Sequence, residues 1–386
     1  MKVMVLAAGK GTRLFPLTGE VPKPMVPVVG KPIMEHIFEL LARSGIEEIH
    51  TNVHYLADAI LGHYGEETRV GNTSVCFTRE EELSGTAGGV KRMASAVSAG
   101  GFDETFVVVM GDALTDIDVR ELVSFHKEQG AAATLALMPV EDTRQYGVVE
   151  LDAENNVASF QEKPDPEEAV SNLANTGIYV LEPEVLEYIP EDAFFDFAED
   201  VFPALLEAGE KMVGYEGAFY WSDIGTLEAY KQAQRDALSG RVAVEVPGET
   251  WGKSLWVGDR ARIHPSSYGR MHGCAFIGPD AVIGRVESLS GVVTVGSGCR
   301  VSDGAKIKDS ILLPGSSVGD GAYLEDCIVG SGYEVRPGER IRGGALIRGA
   351  LEDREPIGIG AVSAGERSQG AGEDERVALP LHNPHV

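Results

Sequence analysis

The chain has few cysteines and none in a useful pattern: Cys76, Cys274, Cys299 and Cys327 are scattered over 386 residues, with no C-x-x-C pair and no histidine nearby at ligand spacing. This excludes a disulfide framework and offers no zinc site, and it fits a reducing cytosol. Positive charge is short as well, 33 Lys and Arg against 60 Asp and Glu, for a formal net charge of -27. The imbalance argues against a nucleic-acid or anionic-membrane surface, so any bound phosphate must meet a local basic island. Long apolar runs are also missing. The opening from Val3 to Ala8 is too short for a signal h-region or a membrane span, and it runs straight into Gly9-Lys10-Gly11. A cytoplasmic protein without export or anchoring signals is expected.

A chain of this length predicts two domains and a tail. Through about residue 240, short β-branched runs alternate with amphipathic stretches, the pattern of an α/β domain with a helix-covered, mixed but mostly parallel sheet of Rossmann-like type. Strands are predicted at Lys2 to Ala8, Glu48 to Val53, Thr105 to Met110, Ala132 to Met138 and Asn175 to Leu181. Helices are predicted at Ile33 to Ser44, Val119 to Gln129 and Leu227 to Leu238, where apolar residues fall three or four apart.

Beyond Pro247-Gly248 the period changes. Ile277, Ile283, Leu289, Val295, Val301 and Ile307 are six residues apart; Leu312, Val318 and Leu324 continue after a one-residue slip, then Val329, Val335, Ile341 and Ile347 after another. Six-residue repeats predict a parallel β-helix over 252–350, each coil burying its aliphatic residue against its neighbours. An ordinary sandwich would show period two and less regular spacing. From residue 351 to 386 the chain is rich in Gly and acidic residues and poor in aliphatics, and it reads as a disordered tail.

Two familiar phosphate loops are absent. No G-x-x-x-x-G-K-[ST] follows the first strand, and the dinucleotide fingerprint would need Gly or Ala where Leu14 stands. What stands there is GKGTRLFPLTGEVPKP, Gly9 to Pro24. Gly9 and Gly11 let backbone N–H groups approach an anion, Arg13 follows them, and Lys23 sits in a Pro22-Lys23-Pro24 clamp. Two cations on stiff backbone suit an attack by one phosphate on another, where two anions must be brought together and a pyrophosphate neutralised. Asp112 follows the apolar strand FVVVMG and Asp223 lies in WSDIG; two such carboxylates could hold one Mg²⁺, which takes few protein ligands. Taken singly, each aspartate reads rather as a cap or turn residue than as a metal ligand.

LAAGKGTRLFPLT followed by PKPMVPVVGKP resembles the opening of the sugar-phosphate nucleotidyltransferases, the nucleoside diphosphate sugar pyrophosphorylases, and the resemblance continues through both domains. It implies Arg13 and Lys23 as catalytic cations and Asp112 and Asp223 as ligands of Mg²⁺. It places the nucleotide on Leu6, Ala8, Gly9, Gly11, Thr12, Gly85, Thr86 and Gly111, and the sugar phosphate on Gly147, Glu162, Lys163 and Asn175. Met110 and Ser84 depart from the commoner family pattern.

The resemblance is nearest to the mannose-1-phosphate guanylyltransferases with a left-handed, hexapeptide-repeat β-helix. It implies GTP and mannose 1-phosphate as the preferred substrate pair, with glucose 1-phosphate and UTP, dTTP or ATP as the alternative. A binding-only regulatory subunit would not need the full set of charged residues. An acyltransferase role for the repeat lacks a clear general base, since only His264 and His272 stand near its start. A structural or homo-oligomerising role is expected instead.

Overall fold

The computed structural model describes residues 1–97 and 102–347. The expected tail and the last residues of the expected 252–350 unit lie outside the described residues.

The first strand, Lys2–Leu6, pairs in parallel with Glu48–Val53 on one side and Phe106–Met110 on the other; Thr73–Arg79 extends the parallel half. Lys2–Leu6 and Phe106–Met110 have both faces covered, which is why KVMVL and FVVVM read as nearly unbroken apolar runs rather than alternating ones. Leucine 6 is in register with both Asn52 and Met110, so the segments that follow the three strands leave the sheet at one edge. Ligands of open α/β sheets bind outside such carboxyl ends. Beyond Phe106–Met110 the sheet turns antiparallel through Leu173–Leu181 to Gly147–Leu151 and Val157–Glu162, with Ala133–Pro139 and Met212–Glu216 paired alongside. The sheet is therefore mixed, with a parallel half that supplies the glycine-rich loop and an antiparallel half that carries the remaining loops.

Among the described residues the α-helices are α1 Ile33–Arg43, α2 Ala57–Tyr64, α3 Gly85–Ala96, α4 Val119–Gln129, α5 Phe202–Ala208 and α6 Leu227–Ser239, the last packed against the carboxyl-terminal coils rather than on the sheet. Local chemistry sets several ends. The Asp118 side chain accepts from Arg120 and Glu121 N–H at the start of α4, and Gly130 ends it at φ +57°. Helix α1 buries Ile33, Met34, Ile37, Phe38 and Leu41, a stripe at helical spacing that is worth roughly 1.5–3 kcal/mol per large side chain. The predicted elements are close to the observed ones. The first strand stops two residues early because the Ala7 N–H leaves the ladder and donates to Asn52 Oδ1 at 2.8 Å.

Residues 255–346 form three stacks of short parallel strands. One runs through Leu255–Val257, Ala275, Phe276, Ile277 and Thr294–Val295 to Ile311–Leu312, Ile328–Val329 and Ala345–Leu346. A second runs from Arg262–Ile263 to Glu334–Val335, and a third from Met271 through Leu289, Lys306–Lys308 and Tyr323–Glu325 to Arg340–Arg342. The six-spaced aliphatics from Ile277 to Ile341 are all buried inside the stacks. At the last coil Leu346, not Ile347, takes the inward place. It pairs with Val329, so a coil advances 18 residues from 277 to 295 but 17 from 295 to 312, 312 to 329 and 329 to 346.

Alternation along these strands points Phe276, Ile311, Ile328 and Ala345 outward, where they share one core with Leu14, Leu17, Val26, Val28, Val29, Ile224, Tyr230 and Ala233. The stacked coils thus pack directly on α6 and on the segment that follows the Pro-Lys-Pro clamp. Lys231, buried on α6, reaches Asp326 of the coils at 2.7 Å.

Candidate functional site

A cavity of about 240 Å³ opens at the carboxyl edge of the sheet. Arg13, Lys23, Asp112, Gly147, Glu162, Lys163, Asn175 and Asp223 all line it, although they come from segments up to 210 positions apart. Another cavity, of about 250 Å³, lies on the stacked coils between Trp251, Tyr268, Met271, His272 and Leu289; its lining holds no carboxylate, lysine or arginine, so it lacks the fixed cations of the first.

Two cations of the first cavity, Lys23 and Arg13, are each paired with one of the two aspartates. Lys23 Nζ is 2.9 Å from Asp112 Oδ2, and Arg13 Nη2 is 3.2 Å from Asp223 Oδ2. Their settings differ. Lys23 is 5% exposed, held in a single helical turn after Pro22, whereas the Arg13 side chain is half-exposed and is steadied by Gln145 Oε1, which accepts from its Nη1 at 2.9 Å. The glycine pattern acquires a second cause here. Gly11 has φ +59°, and a Cβ on it would lie 2.6 Å from Lys23 Cβ, so this glycine lets the loop close over the lysine stem. At Gly9 nothing lies within 4 Å of an added Cβ, which leaves its backbone open to a ligand.

Asp223 stands next to strained backbone. Ile224 is buried at φ +46°, a conformation that β-branched residues rarely adopt, and the Gly225 N–H returns to Asp223 Oδ1 at 2.9 Å. The Tyr146 hydroxyl also donates to Asp223 Oδ1, at 3.5 Å. Burial, reinforced by the Asp223 charge, pushes the Tyr146 phenol up to about 12, so it stays a donor at neutral pH.

Across the cavity Lys163, at φ +46°, pairs with Glu162 Oε1 at 2.5 Å. Gly147 is in register with Glu162, and a Cβ there would fall 2.7 Å from Glu162 Oε2. Asn175 is partly committed: its Nδ2 donates to the Tyr179 hydroxyl and its Oδ1 accepts from the Gly177 N–H.

The remaining sequence-predicted residues do not line this cavity. Leu6 and Ala8 are buried at the end of the first strand, Thr12 lies in the exposed loop, and the Gly111 N–H donates to Leu6 O at 2.8 Å, tying the segment before Asp112 to that strand. Gly85 and Thr86 pack on the segment 195–197: a Cβ on Gly85 would meet Phe195 O at 2.3 Å, and the Thr86 hydroxyl donates to Asp196 Oδ2 at 2.8 Å.

Sequence reasoning missed Gln145, Tyr146, Trp221 and Tyr179, all of which line the cavity. It also missed a buried relay that joins the start of the Gly9–Gly11 loop to Ser84, at the head of α3. Asn52 accepts from the Ala7 N–H and donates to Glu80 Oε1 at 2.6 Å, while the Ser84 hydroxyl donates to Glu80 Oε2 at 2.7 Å. Ser84, a departure from the family pattern, is thereby explained as the partner of a buried carboxylate. The signal in the sequence was Asn52, a polar residue inside the strand EIHTNV.

The family model described as Nucleotidyl transferase matches residues 2–240, and the GMPPB C-terminal domain model matches residues 271–354. The chain belongs to the sugar-phosphate nucleotidyltransferase family. It is 37% identical to a UTP–glucose-1-phosphate uridylyltransferase of Synechocystis sp. over 87% of this chain and 88% of the relative. It is 33% identical to a mannose-1-phosphate guanylyltransferase of Mycobacterium tuberculosis over 83% of this chain and 82% of that one. Among solved structures, HddC from Yersinia pseudotuberculosis complexed with GMP-PN is similar, with a TM-score of 0.52 and 28% identity over 61% of this chain and 99% of that chain. As a member of this family the chain is a sugar-1-phosphate nucleotidyltransferase.

The donor set suits a small hard cation. Of the three carboxylates lining the cavity Glu162 is taken by Lys163, which leaves Asp112 and Asp223, and among the described residues no group of three or more His, Cys, Asp or Glu side chains is placed to hold a metal. Magnesium takes one or two carboxylates together with substrate phosphates and water, so a two-aspartate site fits it.

Proposed function

We propose that this protein joins mannose 1-phosphate to GTP, releasing pyrophosphate and forming GDP-mannose, with Arg13 and Lys23 as the catalytic cations. The observation that carries the reading is the convergence of two cations, two aspartates and the Glu162–Lys163 pair on one cavity. Lys23, buried, neutralises the pyrophosphate as it is displaced from the α-phosphorus, and Arg13 steadies the attacking and transferred phosphates. The open backbone of Gly9, Gly11 and Thr12 receives the nucleotide phosphates, with Leu6, Ala8, Gly85, Thr86 and Gly111 shaping the nucleoside side. Glu162 and Asn175 bond sugar hydroxyls beside the Gly147 backbone, and Lys163 holds the sugar phosphate. Asp112 and Asp223 are the residues to hold Mg²⁺, which when bound supplies charge neutralisation at the phosphates. A cation held by both aspartates would compete with their present pairing to Lys23 and Arg13, which would leave both side chains available to phosphate.

The guanylyltransferase relatives and the match to the GMPPB C-terminal domain model support GTP and mannose 1-phosphate. The uridylyltransferase relative at 37% identity favours a second reading, UTP with glucose 1-phosphate. Residues 1–240 form the transferase domain in this reading, and 252–350 a left-handed β-helix that brings copies of the chain together; its short strands and six-residue spacing support that form. A cytoplasmic location accords with the free cysteines, and no helix among the described residues is long and apolar enough to cross a membrane. The test is a matrix of nucleoside triphosphates against sugar 1-phosphates, with and without Mg²⁺, read by pyrophosphate release. The highest kcat/KM is expected for GTP with mannose 1-phosphate; a preference for UTP with glucose 1-phosphate selects the second reading, and no product in any well rejects both.

A further inference from the structure

Four to nine residues beyond Lys23 the chain makes a tight hairpin, Pro27–Val28 against Lys31–Pro32. Its turn is strained: Val29, β-branched and fully buried, has φ +42°, and Gly30 has φ +86° with the Phe276 ring of the stacked coils 2.4 Å from where a Cβ would stand. Such a turn persists only where its surroundings fix it. Gln234 of α6 does so from a 1% exposed position. Its Oε1 accepts from the Val29 N–H at 2.9 Å, and its Nε2 donates to Pro27 O at 2.8 Å. One partner is a donor and the other an acceptor, so a side-chain amide is required and its orientation is settled by chemistry. The Thr294 hydroxyl, from the coils, donates to the same Oε1 at 3.3 Å. The hairpin is coupled back to the lysine: the Ile33 N–H donates to Val26 O at 3.2 Å, and the Val26 N–H to Lys23 O at 3.1 Å.

We propose that Gln234 is a positioning residue for Lys23, holding the strained Val29 turn so that the ammonium is fixed over the cavity, with the stacked coils locking the amide from behind. The proposal rests on the reading of Lys23 as a transferase cation. It makes the carboxyl-terminal coils part of the scaffold of the reaction rather than an appendage, since Thr294 and Phe276 close the same contact.

The experiment is a double-mutant cycle of Gln234→Leu with Lys23→Met, read by steady-state pyrophosphate release, together with hydrogen exchange over residues 22–32. Gln234→Leu is expected to lower kcat about tenfold, a scale set by small misplacement of a reacting group, with little change in KM for the sugar phosphate. In the Lys23→Met background the same substitution should cost less than about twofold, because a residue that acts through Lys23 has nothing left to position. Exchange over 22–32 should rise while that of the coils stays as in the wild type. Thr294→Val, which removes only the hydroxyl that donates to Gln234 Oε1, serves if the leucine variant fails to fold and should give a smaller rise. Equal losses in both backgrounds, or unchanged exchange over 22–32, overturn the proposal. A wild type inactive with every substrate pair rejects the transferase reading instead, and exchange still decides whether Gln234 holds the turn.

Discussion

Replacing Lys23 by Met should separate turnover from stability. The ammonium is 2.9 Å from Asp112 Oδ2 on a side chain that is 7% exposed, while the Asp112 side chain is 34% exposed. At an effective dielectric of about 20, attraction at that distance is about 6 kcal/mol. Withdrawing the ammonium from water costs several kcal/mol even after relaxation, so the two nearly cancel. Methionine has a similar unbranched reach and no charge to desolvate, and Asp112 keeps its contact with water. Stability should therefore stay within about 2 kcal/mol, a Tm change of no more than about 8 °C for a domain of this size. Turnover should fall roughly 10²–10³-fold, the loss typical for removing one fixed group that stabilises transition-state charge. Pyrophosphate release at saturating substrates and thermal unfolding followed by circular dichroism read the two quantities on the same preparation. A variant within about fivefold of wild-type turnover would show that the ammonium is not aimed at phosphate, whatever its burial. A collapse in Tm with no folded protein left would make Lys23 a core cation, and the argument from near-cancellation would be wrong.

Gly147→Ala should raise the KM for the sugar 1-phosphate with a smaller effect on kcat, because the new methyl displaces the Glu162 carboxylate, 2.7 Å away, and the Phe160 ring; an unchanged KM refutes the placement of the sugar. Tyr146→Phe should weaken the orientation of Asp223 and raise the Mg²⁺ concentration needed for half-maximal rate, and a magnesium titration identical to wild type would exclude that role. Acid should destabilise the fold partly through His36. Burial lowers this imidazole to about 4, and its Nε2 donates to Val28 O. Between about pH 6.5 and 4 the unfolded chain binds a proton that the native state does not, so stability rises with pH across that window and about 3 kcal/mol is lost on acidification through it. Urea unfolding of wild type and His36→Gln at pH 7 and pH 4.5 checks this: the variant should lose less on acidification, and equal losses would refute it.

The parts of the molecule legible in the sequence are those whose cause is local. The run VMVL and the helix Val119–Gln129 announce themselves because burial recurs at the period of the element that makes it. The six-residue aliphatic spacing identified the stacked coils for the same reason. It failed at Ile347, where nothing nearby in the chain reports that Val329 will pair with Leu346. The cluster Gly9, Gly11, Arg13 and Lys23 could be found because stiff backbone and close-spaced glycines are visible in one short stretch.

Tertiary structure alone decided which charge meets which. Arg13 pairs with Asp223 across 210 positions, and the pairing of Trp221–Ser222 with Leu114–Thr115, just after Asp112, not any spacing, brings the second aspartate to the cavity. It likewise decided that Gly11 yields to the Lys23 stem, that Ser84 satisfies a buried Glu80, and that Gln234 joins the hairpin to the coils. Local propensity is written in neighbouring residues. A buried polar contact depends on the path of the chain between its partners, so the sequence could supply the groups but not their meeting.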